Sequence, residues 1–108
     1  MSPAALPVVW RPRADTDLVE AVLWLREHAS PAIAVEFVDR VEGALDLLSR
    51  HPLAGSGLVG VRVGIPGLRS FPVERTPYVL FYLADSRHVD LVRVLHGRRD
   101  IDAELIEV

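Results

Sequence analysis

Two nearly unbroken apolar runs, Tyr78-Val-Leu-Phe-Tyr-Leu83 and Val89-Asp-Leu-Val-Arg-Val-Leu95, restrict what this chain can fold into more than any other feature. Both are rich in Val, Leu and aromatic residues, and Asp85-Ser86-Arg87 between them supplies turn chemistry. They predict a β-hairpin with strands at about 78–84 and 88–96. A strand open to water on one face alternates apolar and polar residues. These two do not, so they call for cover on both faces of the sheet.

The first half of the chain supplies one layer of that cover. Asp17 followed three positions later by Glu20 reads as a capping box opening a helix that runs to about His28, with Leu18, Val22 and Leu25 on one face. Ser30-Pro31 restarts the chain, Ser as N-cap and Pro at the first helical position. The second helix runs to about Arg50, where His51-Pro52 stops it, and buries Ala34, Phe37, Val38, Val41, Ala44, Leu45 and Leu48. With two or three residues between them, the helices form an antiparallel hairpin. Before them, Pro7 to Arg13 is a short β-favouring run that Pro12 terminates, which suits a sheet edge. After them, Leu53 to Gly67 is punctuated by five glycines without the spacing of a phosphate loop, and reads as a flexible connection with a short strand at Val61-Arg62-Val63. A further strand at about 68–75 leads into the hairpin.

The pattern gives an α+β fold in one domain, residues 1–108, with order β-α-α-β-β-β and a two-helix hairpin packed on a mainly antiparallel sheet of about four strands. The helices can cover one face only. The other needs the tail or a partner. Half of the 108 residues are hydrophobic and the mean hydropathy is +0.25, an apolar surplus for so small a domain, which favours a protein partner.

Charge divides the chain. Residues 1–54 carry 5 Arg against 8 acids, residues 55–99 carry 7 Arg against 3 acids, and residues 100–108 carry 4 acids, so a basic strand region sits inside a protein of net charge −3. All 12 basic residues are Arg. Cysteine is absent, which excludes disulfides and thiolate metal sites, and the four histidines lack metal-ligand spacing; no cofactor or metal is expected. No window approaches 18 consecutive apolar residues and Met1 to Trp10 lacks a secretory pattern, so a cytoplasmic protein without a membrane anchor is expected.

The last strand closes abruptly on a polar cluster, His96, Arg98, Arg99 and Asp100. The phrases Gly67-Leu-Arg-Ser-Phe-Pro-Val73, Tyr78-Val-Leu-Phe-Tyr82 and above all Arg93-Val-Leu-His-Gly-Arg-Arg-Asp100, in this order of elements, resemble the RelE/ParE superfamily of type II toxins, ParE branch. The resemblance implies a toxin that poisons DNA gyrase by stalling it on cleaved DNA. It also implies neutralisation by a cognate, ParD-like antitoxin whose disordered segment folds along the toxin. No sequence-specific binding of nucleic acid by the chain alone is implied. Arg69, Arg93, His96, Arg98, Arg99 and Asp100 are then the candidates for binding the target. Trp24, Phe71, Val73, Tyr78, Leu80 and Tyr82 are the candidates for binding the antitoxin.

Two alternatives remain open at this level. Superfamily relatives cut mRNA on the ribosome, for which Arg69, Arg75 and Arg93 could stabilise phosphate charge, Glu74 act as base and His96 as acid. Those relatives carry a catalytic aromatic or His near the C-terminus, and residues 101–108 offer neither. A degenerate homologue that binds an antitoxin without toxicity is the other alternative.

Overall fold

The computed structural model describes residues 4–106; residues 1–3 and 107–108, part of the N-terminal approach and of the acidic tail, lie outside the described residues. The elements in chain order are β1 (Val8–Trp10), α1 (Pro12–His28), α2 (Pro31–Arg50), α3 (Leu58–Val63), β2 (Arg69–Pro72), β3 (Tyr78–Ala84), β4 (Val89–His96) and α4 (Ile101–Ile106). The fold is α+β, and the four strands lie in the order β1-β4-β3-β2. β2, β3 and β4 form an antiparallel meander, while β1 pairs parallel to β4 with Val8 opposite Val89. A parallel neighbour requires a crossover, and the α1/α2 hairpin provides it across one face of the sheet.

On that face Phe37, Val41, Leu45 and Leu48 from α2 meet Leu80 and Tyr82 from β3 and Leu91 from β4, all buried. Ser30 caps α2 as its pattern requires, its Oγ accepting from Ile33 N–H at 3.1 Å. The capping box expected at Asp17 does not form. α1 begins five residues earlier, with Pro12 at its first position, because Pro12 both ends β1 and suits the first helical turn. Asp17 thereby falls inside the helix and is buried.

The second face is covered by the chain itself. Phe81, Val92 and Leu95 point away from α1/α2 and pack with Val59 of α3, Leu68 and Leu105 of α4. The strand expected at Val61–Val63 is therefore a correction: the segment is helical. Glycine makes this geometry possible. Gly64 ends α3 with φ +73°, and Gly60 lies so close to the carbonyls of Leu68 and Ile65 that a Cβ there would sit 2.6 and 2.7 Å from them. The tail is the other half of the lid, and the partner inferred from the doubly apolar strands is not required for this face. The apolar surface that stays exposed lies elsewhere, on Val19, Leu23 and Trp24 of α1, Val35 of α2 and Leu58 and Val61 of α3.

Candidate functional site

The chemistry gathers at the end of the sheet where β4 finishes. Tyr78 and His96 are opposite one another in the β3-β4 register, and Gly97 N–H donates to Pro77 O at 2.7 Å, closing the ladder. The Tyr78 ring is held between Phe37 (centroids 4.8 Å apart) and the edge of the His96 ring (5.3 Å). Its burial pushes the phenol pKa up, an effect that nearby Arg99 opposes. Beyond His96 the chain turns tightly. His96 Nδ1 accepts from Arg98 N–H at 3.0 Å, which leaves the proton of the neutral ring on Nε2. Asp100 Oδ1 then accepts from Ala103 N–H at 3.2 Å and so caps α4.

Trp24 of α1 stands across from this end, 55% exposed and stacked on His28 with ring centroids 4.5 Å apart. Between Trp24 and the turn lies an open groove of about 430 Å³ walled by Tyr78, His96, Arg98 and Arg99. Arg99 Nη1 donates to Glu104 Oε1 at 3.3 Å, whereas the guanidinium of Arg98 has no partner among the described residues. A second groove, floored by Phe37 and Ile33 and flanked by Arg40 and Arg75, shares Leu25, Pro77 and Tyr78 with the first, so the two are continuous past Tyr78.

The groove thus unites Trp24 and Tyr78, expected to meet the antitoxin, with His96, Arg98 and Arg99, expected to meet the target. The other expected residues have different places. Arg93, 2% exposed, is buried: its Nε and Nη2 donate to Asp17 Oδ2 (2.7 Å) and Oδ1 (2.9 Å), and it donates further to Glu104. The bond to Asp17 raises the Arg93 pKa, and no proton transfer from this guanidinium is available. Val73, Leu80 and Tyr82 are core residues with no side-chain surface to offer a partner. Tyr82 Oη is fully used, donating to Pro52 O (2.8 Å) and accepting from Gly55 N–H (2.9 Å). Arg69 Nη1 donates to Gly55 O at 2.7 Å and ties down the glycine-punctuated connection. Phe71 is half-buried on β2, in a separate groove beside Leu47 and Glu74. Asp100 is the α4 cap already described.

Asp17 is what sequence reasoning misplaced, since a helical carboxylate is ordinarily a surface residue. The signal that could have found it is an Arg, Arg93, in the middle of an otherwise apolar strand: a cation there demands a buried anion. No group of three or more His, Asp or Glu side chains among the described residues could hold a metal ion, and no described helix is long and apolar enough to cross a membrane.

The model of the family described as "ParE toxin of type II toxin-antitoxin system, parDE" matches residues 8–101. The chain belongs to the ParE toxin family. No curated protein matches it at a comparable level. Among solved structures, the ParE-type fold is similar to a chain of the "Chromosomal ParDE TA system from P. aeruginosa", with TM-score 0.71 and 18% identity over 85% of this chain and 96% of that one. At that identity the likeness is one of fold. The ParE match runs from β1 to the first residue of α4, so it takes in the groove and its Tyr78-His96 end.

Proposed function

We propose that the chain is the toxin of a type II toxin-antitoxin pair, acting in the cytoplasm on DNA gyrase. It binds the enzyme and stalls it on cleaved DNA without catalysing a reaction of its own. A ParD-like antitoxin encoded beside it neutralises it by laying a folding segment in the groove between Trp24 and the His96–Arg99 turn. One surface then serves target and antitoxin, and the antitoxin acts by occupation.

The observation that carries the non-enzymatic reading is the dispersal of the groups an RNA-cutting relative would need. Arg93 is locked on Asp17, Arg69 on a backbone carbonyl, Glu74 lines a separate groove, and Arg75 and His96 stand in opposite halves of the long groove with Tyr78 between them. In addition, His96 acting as an acid would carry a proton on Nδ1, turning the acceptor of the Arg98 N–H into a second donor facing it. General acid-base chemistry needs its groups within hydrogen-bond reach of one scissile bond. An apolar wall with two guanidiniums beside it suits binding instead. The test is a supercoiling assay with purified gyrase, set beside a ribosome-dependent mRNA cleavage assay. Inhibited supercoiling with accumulated cleaved DNA is expected. Intact supercoiling together with cut mRNA would reverse the reading.

A further inference from the structure

The β2-β3 loop holds the single non-glycine residue with positive φ among the described residues, Arg75 at +60°. Four bonds fix that turn: Val73 N–H donates to Tyr78 O (2.9 Å), Thr76 N–H (3.1 Å) and Thr76 Oγ1 (2.9 Å) both donate to Val73 O, and Tyr78 N–H donates to Thr76 Oγ1 (3.1 Å). Glycine or asparagine adopts this conformation with least strain, and the bonded turn holds a long cationic side chain in it.

Arg75 and Arg98 share a different property. Each half of the continuous groove has two guanidiniums. In one half Arg40 is satisfied by Glu36 (2.6 Å) and Arg75 has no partner among the described residues; in the other Arg99 is satisfied by Glu104 and Arg98 has none. Glu74, next to Arg75 in sequence, faces a different groove. Between the two open cations lies the shared apolar stretch of Leu25, Pro77 and Tyr78.

We propose that Arg75 and Arg98 form a two-point carboxylate clamp, one on each side of Tyr78, that reads an acid-apolar-acid pattern in the segment of the neutralising partner. The inference rests on the antitoxin reading above and specifies its chemistry. The apolar centre takes the anchoring side chains and excludes water, so that the two charge-assisted bonds at its ends form in a partly desolvated setting where they fix register. A single strand of nucleic acid could stack a base on Tyr78, but Leu25 and Pro77 beside it are aliphatic and suit the side chains of a peptide, and an oligonucleotide competitor tests the alternative.

The test selects random 20-residue peptides by display on the full chain, with counter-selection on the R75G/R98Q double variant. Winners carrying Asp or Glu on both sides of an apolar pair are expected. They should bind at least tenfold more weakly to either single variant, and lose less affinity with added salt there than on the wild type. R75G should melt at or above the wild-type temperature, since glycine relieves the positive φ, and R98Q gives an independent reading on an unstrained position. No binders, winners without acidic enrichment, equal affinity for the variants, or displacement of the peptide by a single-stranded oligonucleotide would overturn the clamp. The protein encoded beside the gene separates the two readings. If it binds wild type and both variants equally, the clamp fails and the antitoxin reading stands. If acidic peptides bind through both arginines and that protein does not, the clamp stands and the antitoxin reading fails.

Discussion

Arg93 on β4 grips both carboxylate oxygens of Asp17 on α1, 76 residues away in sequence, and the same carboxylate accepts the Val94 N–H at 2.9 Å. The local backbone explains how. Leu91 pairs with Tyr82 and Arg93 with Phe81, so Val92 is an extra residue, a bulge that re-aims Arg93 just where β1 has left the edge of β4. Asp17 fills the vacated edge. Because the ion pair is almost wholly out of water, removing one partner strands a charge: D17A should cost about 3–5 kcal/mol in urea unfolding. A double-mutant cycle with R93L should show coupling of about 1–3 kcal/mol, and simple additivity would deny the pair its role.

Burial and exposure separate the residues first expected at the antitoxin surface. L80A should lose about 2–5 kcal/mol of stability, because it empties a fully buried site, and Y82F about 1–3 kcal/mol, because it orphans Gly55 N–H and Pro52 O. Both should bind the antitoxin normally once folded. W24A should do the reverse, leaving the melting temperature within a few degrees of wild type and weakening binding by about 2 kcal/mol in titration calorimetry.

α4 is six residues long and is held by one fully buried side chain, Leu105, and by ion pairs from Arg62 to Asp102 (2.8 Å) and from Arg93 and Arg99 to Glu104. L105A should therefore uncover Phe81, Val92 and Leu95. The readout is increased binding of an apolar dye at neutral pH, with about 2–5 kcal/mol lost in unfolding; an unchanged dye signal would mean that α3 suffices as cover.

The β3-β4 turn is fastened by Asp85, whose Oδ1 accepts from Arg87 N–H (2.7 Å) and His88 N–H (3.0 Å). These bonds, Arg87 first, lower its pKa below the ordinary 3.8. A depressed carboxyl stabilises the fold above its unfolded pKa and loses that contribution as pH falls through the folded value. The turn should hold unchanged down to about pH 4 and weaken only below it, and a carboxyl NMR titration should give Asp85 a midpoint under 3.8.

The hairpin of β3 and β4 was legible almost to the residue, because two apolar runs and an Asp-Ser-Arg turn admit few readings, and the Ser30-Pro31 cap fixed the start of α2. What failed was whatever depended on distant partners. Asp17 carries the local marks of a cap, and its true role is decided by Arg93. Val61-Arg62-Val63 has strand-like composition, yet glycines at both ends of α3 and the closeness of Gly60 to the Leu68 carbonyl fold it as a helix. The groove was half legible: its cations stood out as the polar end of an apolar strand, but that Trp24 stands opposite them follows from the crossover of α1 and α2, which no local pattern encodes.

That crossover also governs when the molecule comes into being. The partner of Val8 is Val89, so a nascent chain carries its first strand unpaired until most of it has been synthesised, and α1 waits equally long for Arg93 to meet Asp17. Synthesis interrupted before β4 yields a polypeptide that lacks the strand joining β1 to β3, and with it the His96–Arg99 side of the groove. Under the proposed function, the architecture therefore adds a delay of its own, measured in codons, between the start of translation and the first moment at which the chain can act.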